Sequence, residues 1–293
     1  MEKIHSISLR MFDSMLNQIY SKKILNHRLI FCINSGRSGS QYLAELLDTA
    51  EEVTSYHEPQ PPMTGDFLSL INNNNYRNSV RIRKIKSHII KNNIRKFPKG
   101  KIYCETNHMF IKTFFDIICK DFKKIDVIIL RRYLPSVLKS FLELGYFSDK
   151  NPNWPLWMSN PNAVTAAIPC LDKDENMDQC DRCIAYLIDI EARAIRFQKE
   201  YPLIPIHEIR LESLNNYEQI KELFNRLKII PTKNTEAMYT EKINQRSSTK
   251  TKYQETPVSL NYCEERINRY VSLATEKGIA IPSSLALKPF EFK

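Results

Sequence analysis

The sequence predicts an α/β fold, a three-layer sandwich in which a central parallel sheet is flanked by helices. The main observation is that an apolar run is followed by residues at helical spacing in three places. The pairs are Leu29–Ile33 before Leu43–Ala50, Val127–Leu130 before a helix from Pro135, and Leu203–Glu212 before Asn216–Leu227. Strands that alternate with helices in this way pair in parallel, because each helix carries the chain back across the sheet.

The remaining elements follow from similar patterns. The amphipathic segment 3–20 predicts a helix before the first strand. Extended pieces are predicted at Val53–Pro59 and Lys101–Glu105, and further helices at Phe110–Lys120, Ile184–Ile195 and Glu264–Lys277. No repeat or low-complexity linker divides the chain, so residues 1–293 are predicted to form a single domain.

Residues 145–179 break the alternation of strands and helices. They are rich in Pro, Asn and Asp and contain both tryptophans, Trp154 and Trp157. A long irregular segment in a compact chain is usually functional, so a lid or an acceptor-binding loop is predicted here, the alternative being a surface excursion with its tryptophans in the core.

Composition indicates the cellular compartment in which the protein is expected. No apolar run approaches the roughly 18 residues of a membrane span, and the first residues lack the apolar core of a signal peptide. The 7 cysteines are scattered and odd in number, which favours buried thiols in a reducing compartment. A cytoplasmic protein is therefore expected.

The loop after the first strand, Ser35–Gln41, has the composition of a phosphate-binding turn. The first turn of the following helix offers unpaired backbone N–H groups and the positive end of the helix dipole. Gly36 and Gly39 allow close approach of the backbone, and Arg37 adds a permanent charge. Ser38 and Ser40 add hydroxyl donors. The loop lacks the Lys of the common nucleoside-triphosphate motif, which stands just before the hydroxyl residue.

Together with a second segment, this loop resembles the sulfotransferases that use 3′-phosphoadenosine 5′-phosphosulfate (PAPS). In that family a loop of the form basic-Ser-Gly-[Ser/Thr] holds the 5′-phosphosulfate, and Arg37 takes the place of the basic residue. The family holds the 3′-phosphate with an Arg at a strand end and a Ser eight residues later, which Arg132 and Ser140 match. Arg131 is expected to point to the opposite face of its strand.

The resemblance also implies the catalytic groups. Several branches of the family use a Glu after the loop helix as the base, and Glu58 lies in a comparable place, on a proline-rich turn. Others use a His at the end of the strand preceding the Arg strand, which His108 matches, with Asn107 or Glu105 orienting it or the acceptor. Glu58 ranks first and His108 second, and the choice stays open. Arg246, in the late basic loop 243–252, is similar in position to a loop that the family places at the 3′-phosphate.

Two further features bear on function. Between Asn72 and Lys101 there are ten Lys and Arg residues and no acid, so this segment is expected either to attract a polyanion or to form a solvated helix face. Cys170, Cys180 and Cys183 include a C-x2-C element, but no fourth ligand has the spacing of a zinc site, and no metal is expected.

The function implied by the resemblance is transfer of a sulfuryl group from PAPS to an acceptor hydroxyl on a carbohydrate, a lipid or a small molecule, with a small-molecule or glycan acceptor as the expected partner. The implied fold is P-loop-like, and the scheme requires no metal and no nucleic acid. Two alternatives remain: a P-loop nucleotide kinase, against which the missing Lys argues, and a non-enzymatic module for nucleic acid or another polyanion. The nucleic-acid alternative lacks a recognised reader motif and aromatic residues interleaved with the charges.

Overall fold

The structure is a computed structural model of the chain, and it describes residues 22–72, 76–171, 177–240 and 258–291. The predicted helix 3–20 and the basic loop 243–252, which contains Arg246, lie outside the described residues.

The described strands form one sheet in which every strand pair is parallel. The strands are β1 (Arg28–Ile33), β2 (Val53–His57), β3 (Ile102–Thr106), β4 (Lys124–Arg131) and β5 (Ile206–Arg210), in the order β2-β3-β1-β4-β5. β1 is the central strand, so the loop after it lies between the ends of β3 and β4. In an open parallel sheet, this point at the carboxyl ends of the strands is where ligands bind.

Helices cover both faces of this sheet. The α-helices are α1 (Lys22–Leu25), α2 (Ser40–Asp48), α3 (Asp66–Asn72), α4 (Tyr76–Arg83), α5 (Ile85–Arg95), α6 (Phe115–Asp121), α7 (Leu134–Glu143), α8 (Gln179–Glu200), α9 (Tyr217–Arg226), α10 (Lys233–Thr240) and α11 (Leu260–Glu276). Among these helices, none has the length and apolar character needed to cross a membrane.

Alternate residues of β1 pack into two separate hydrophobic cores. On one face Phe31 stacks on Phe110 with the ring centroids 4.7 Å apart. On the other face Ile30 and Cys32 pack in one cluster with Leu43 of α2. Because successive side chains of a strand point to opposite faces, a strand buried on both sides reads as a continuous apolar run. The predicted three-layer α/β architecture is therefore confirmed.

The boundaries of three elements differ from the prediction. β5 is shorter than the apolar run 203–212, because Leu203 is 94% exposed before the strand and a 3₁₀-helix, Leu211–Asn215, follows it. α11 begins four residues early, since Ser259 caps it by accepting a hydrogen bond from the Tyr262 N–H. The helix expected at 110–120 opens as a π-helical turn, Phe110–Phe114, before α6.

The basic segment contributes three cations to the interior, which neither interpretation of this segment anticipated. Arg83 forms an ion pair with Asp116, Lys91 with Asp121, and Lys86 with Glu105, and the three basic side chains are buried. Buried charges of this kind must be paired and hydrogen bonded. These three residues therefore serve the packing of α4 and α5 and are not available to a polyanion.

Replacing Lys86 by Met should lower the free energy of unfolding by about 3–5 kcal/mol, because the Glu105 carboxylate would stay buried without its partner. Lys99→Met removes an exposed lysine of the same segment and should change stability by less than about 0.5 kcal/mol. Denaturant unfolding measures both values.

The double variant Lys86→Met/Glu105→Gln tests the electrostatic origin of this loss. Neutralising the carboxylate should return part of the lost stability, because no uncompensated charge remains buried. A double variant that is no more stable than Lys86→Met would contradict the assignment.

Candidate active site

The loop between β1 and α2 is folded by its own side chains into a concave turn. The Asn34 Oδ1 atom accepts hydrogen bonds from the Gly36 N–H at 2.9 Å and from the Ser38 hydroxyl at 3.3 Å. Gly36, Arg37 and Gly39 have positive φ angles of 82°, 55° and 90°. Turns with such residues form the backbone concavities that bind anions, and α2 adds the N-terminal end of its dipole. The loop therefore has the backbone of an anion site.

Both steric contact and a positive φ angle favour glycine over other residues at position 39. A Cβ atom at this position would lie 2.4 Å from Cδ1 of Leu211. The 3₁₀-helix after β5 thus packs directly against the start of α2, and the closeness of that packing depends on the missing side chain.

The two predicted anion sites lie next to each other. The Arg132 guanidinium donates a hydrogen bond of 3.0 Å to the backbone carbonyl of Arg37. The Arg37 Nε–H in turn donates to the Ser140 hydroxyl at 3.1 Å. Among the described residues no carboxylate forms an ion pair with the Arg37 guanidinium. Arg131 points away and pairs with Glu191 and Glu208, as its position on the strand predicted.

Two acid–base groups lie against the same loop. The His108 ring is close to Gly36, since a Cβ atom there would lie 3.6 Å from the His108 Nδ1 atom. The His108 Nε2 atom is 3.5 Å from Oε1 of Glu58. Burial, and next the charge of Lys112, hold the pKa of His108 well below its usual range, so the ring is neutral. The Glu58 side chain is 37% exposed and opens to the cleft.

The turn that carries Glu58 is stabilised by the lysine of a buried ion pair. Lys86 Nζ lies 2.7 Å from the Glu105 carboxylate and donates hydrogen bonds of 3.0 Å to the carbonyl oxygens of Pro59 and Pro61. Glu58 itself has a φ angle of 47°. A non-glycine residue in this conformation persists where its surroundings fix it, and such residues cluster at functional sites.

A cleft of about 1250 Å³ joins these groups. Ligand pockets commonly measure about 300–1,000 Å³, so this cleft has room for a nucleotide and a second molecule. Among its lining residues are Ser35, Gly36, Arg37, Gly39, Ser40, Gln41, Glu58, His108, Arg132, Tyr146, Trp157 and Met158. The last three show that the irregular segment 145–179 forms part of the wall.

Most of the predicted site residues line one cleft, two lie behind its lining, and one falls outside the described residues. Ser38 and Ser140 are buried and lie behind the lining, where their hydroxyls bond Asn34 and Arg37. Arg246 lies outside the described residues. Glu105 and Asn107, expected to orient His108, bond instead to each other at 2.9 Å. The contact to the His108 ring comes from Lys112.

Lys112, Lys86 and Asn34 were missed by the sequence analysis. The sequence offered one indication for Lys112, which is a single cation in the apolar run 110–114 and lies four residues after His108. Asn34 had only its place after a buried strand. Lys86 was hidden among nine other cations, and nothing in its neighbourhood distinguishes it.

The three neighbouring cysteines are free thiols, and Cys180 and Cys183 are buried. Within the described ranges, no group of three or more His, Cys, Asp or Glu side chains is arranged to hold a metal ion.

Comparisons with known proteins found similar folds among solved structures. The sulfotransferase domain from the curacin biosynthetic pathway is 11% identical, with a TM-score of 0.47, over 87% of this chain and 99% of that one. The sulfotransferase domain from the Synechococcus PCC 7002 olefin synthase is 12% identical, with a TM-score of 0.45, over 88% and 97%. A sulfotransferase from Alicyclobacillus acidocaldarius is 9% identical, with a TM-score of 0.45, over 87% and 97%. No protein-family model and no curated protein matched the chain.

The Gly39→Ala variant should be less stable than Gly100→Ala, a control with the same φ angle of 90° and no atom within 4 Å of the added Cβ. Both variants suffer the backbone strain of about 1–2 kcal/mol. Only the Gly39 variant adds the clash with Leu211, which should cost about 1–3 kcal/mol more. Thermal or denaturant unfolding measures the difference, and equal losses would show that the packing at Gly39 is not tight.

The neutral state of His108 predicts a pH dependence of stability. An unfolded histidine takes up a proton below its ordinary pKa of 6.5, whereas the folded ring, whose pKa is lowered, does not. The unfolded state then binds more protons, so stability falls as the pH falls below 6.5, by at most about 1.4 kcal/mol per pH unit. His108→Gln should show a shallower slope between pH 6.5 and 5. Identical slopes would mean that the folded ring titrates normally.

Proposed function

We propose that this chain is a sulfotransferase that moves the sulfuryl group of PAPS to an acceptor hydroxyl. The observation that carries the proposal is the hydrogen bond from the Arg132 guanidinium to the Arg37 carbonyl, at 3.0 Å. It shows that two arginines 95 residues apart in the sequence line one cleft, together with a carboxylate and an imidazole. A nucleotide with phosphate groups at both its 3′ and 5′ positions fits this arrangement of charge.

Arg37 and the loop are proposed to bind the 5′-phosphosulfate. Charge builds up on the oxygen that bridges phosphorus and sulfur as the bond to sulfur breaks. A fixed cation and inward N–H groups stabilise that charge, and loss of such a contact typically costs about 100-fold or more in rate. Positioning of the two reactants supplies much of the remaining acceleration, as it does in phosphoryl transfer.

Arg132 is proposed to hold the 3′-phosphate and to select PAPS against ATP. Ser140 accepts a hydrogen bond from the Arg37 side chain, and the contact with the 3′-phosphate that the sequence predicts for Ser140 remains part of the proposal. Ser35, Gly36, Gly39, Ser40 and Gln41 line the cleft on the loop side. The P-loop-like arrangement of strand, loop and helix is thus the nucleotide site of the proposal.

Glu58 or His108 is proposed to take the proton of the acceptor hydroxyl, a step that contributes roughly 10²–10⁴-fold. The acceptor oxygen forms a bond to sulfur, the bond from sulfur to the 5′-phosphate oxygen breaks, and adenosine 3′,5′-bisphosphate leaves. Tyr146 and Trp157 line the cleft and offer aromatic faces to a sugar ring or to an apolar small molecule. A small-molecule or glycan acceptor is therefore proposed.

The chain should bind adenosine 3′,5′-bisphosphate at least about tenfold more tightly than adenosine 5′-monophosphate, because a charge-assisted hydrogen bond contributes about 1.5–3 kcal/mol. Arg132→Ala should erase that preference. Arg131→Gln removes the same charge one residue away, where it pairs with Glu191, and should keep the preference. Titration calorimetry on each folded variant measures both constants.

Transfer of labelled sulfate from PAPS to a panel of sugars, phenols and alcohols tests the reaction itself. Arg37→Ala should abolish transfer.

Equal affinity of the wild type for adenosine 3′,5′-bisphosphate and adenosine 5′-monophosphate would overturn the proposal. Magnesium-dependent use of ATP would favour the kinase alternative. A steep loss of nucleic-acid affinity with salt, indifferent to Arg37→Ala, would favour the binding module.

A further inference from the structure

Lys112 is a buried lysine whose ammonium group lies behind the acid–base pair of the cleft. Its side chain is 1% exposed. The Nζ atom is 2.8 Å from His108 Nδ1, 2.6 Å from the Trp157 carbonyl oxygen and 3.1 Å from the Tyr186 hydroxyl oxygen. Tyr186 in turn donates to the Ser35 carbonyl at 3.0 Å, so the lysine is tied to the phosphate loop through one side chain.

The donors and acceptors around Lys112 can be counted. A carbonyl oxygen can only accept, so Trp157 takes one hydrogen of the ammonium group. The only hydrogen of the Tyr186 hydroxyl is given to Ser35, so towards Lys112 this oxygen also accepts. An ammonium group has three hydrogens, so in that form of Lys112 the third hydrogen is left for His108 Nδ1.

We propose that Lys112 is a positioning residue that holds His108 in the tautomer with its hydrogen on Nε2. Nδ1 then serves as an acceptor, and the Nε2–H group faces Glu58 Oε1, 3.5 Å away. Nε2 then has no free lone pair to accept the acceptor's proton, and protonation of Nδ1 instead would make the ring an imidazolium. The chemical consequence rests on the proposed function: Glu58 is the base, and His108 is a donor that orients it.

The proton and the bonds of the transfer step then balance without a charged imidazole. The hydrogen of the acceptor hydroxyl moves to the Glu58 carboxylate as the acceptor oxygen bonds to sulfur. The pair of electrons in the broken bond stays on the 5′-phosphate oxygen, beside Arg37. His108 keeps its own hydrogen throughout and steadies the carboxylate before and after it is protonated.

The carboxylates near Lys112 favour its ammonium form, whereas burial opposes it. Burial lowers the pKa of Lys112 well below its usual range, and the carboxylates of Glu58 and Asp189 oppose that shift. Arg193 acts against the ammonium form, but it is paired with Asp189 at 2.6 Å. On the His108 side, Lys112 and His57 both disfavour a second positive charge. A neutral lysine would instead accept from Nδ1–H and produce the opposite tautomer.

Nitrogen-15 NMR of the histidine-labelled chain decides between the tautomers without any need for turnover. The His108 signals are assigned by their loss in His108→Gln. A protonated Nε2 and an unprotonated Nδ1 between pH 6 and 8 are expected. A protonated Nδ1, or an even mixture of the two forms, would overturn the proposal while leaving the sulfotransferase assignment untouched.

The Lys112→Met variant tests the cause of the tautomer. Loss of the Nδ1 donor should convert the single tautomer into a mixture, or raise the pH at which the ring titrates. Lys91→Met is the matched control, since Lys91 is also buried but pairs with Asp121 and does not line the cleft within the described chain. It should leave the His108 signals unchanged. An unchanged tautomer in Lys112→Met, or a changed one in the control, would overturn the role of Lys112.

The kcat values of Glu58 and His108 variants distinguish whether His108 acts as a hydrogen-bond donor or as the base. Glu58→Gln should lower kcat roughly 10²-fold or more, with little change in the KM for PAPS. His108→Gln keeps an N–H donor and should retain more kcat than His108→Ala. A loss in His108→Gln as large as that in Glu58→Gln would make the histidine the base and overturn the inference. Absence of transfer in the wild type would count against the proposed function alone, because the NMR result stands without it.

Discussion

The site depends on one contact between two segments that are distant in sequence, the hydrogen bond from Arg132 to the Arg37 carbonyl. The sheet order creates it, because β1 and β4 are neighbours and their ends face the same edge. Cations gathered at one site repel each other unless a ligand, solvent or a backbone carbonyl compensates the charge. The backbone carbonyl of Arg37 supplies part of that compensation, and an anionic ligand would supply more.

The interior of this chain contains more charge than its composition alone would indicate, and that charge organises the cleft. Lys86 supports the turn of Glu58 from below, and Lys112 supports His108 from behind. Buried pairs of this kind add little net stability compared with apolar residues, yet they permit few alternative geometries. Here they lie one layer behind Glu58 and His108 and fix the geometry of these two side chains.

The cleft combines cationic groups with a carboxylate and an imidazole. Arg37, Arg132 and the N-terminal end of the α2 dipole favour a polyanion. Glu58, His108, Tyr146 and Trp157 line the same cleft. In the proposed reaction, the leaving phosphate lies next to the cations and the acceptor proton next to the carboxylate.

Local patterns in the sequence determined the strand–loop–helix at Ser35–Gln41, the α/β architecture and the face on which Arg131 lies, because periodicity and turn chemistry act over a few residues. They did not determine which lysines of the basic segment are buried, why Ser140 bonds Arg37, or that Lys112 rather than Glu105 contacts the His108 ring. Those outcomes are set by residues that approach each other only when the sheet is assembled and the helices pack on it. The sequence around a single side chain does not indicate which distant residue it will contact, and only the tertiary structure determines that partner.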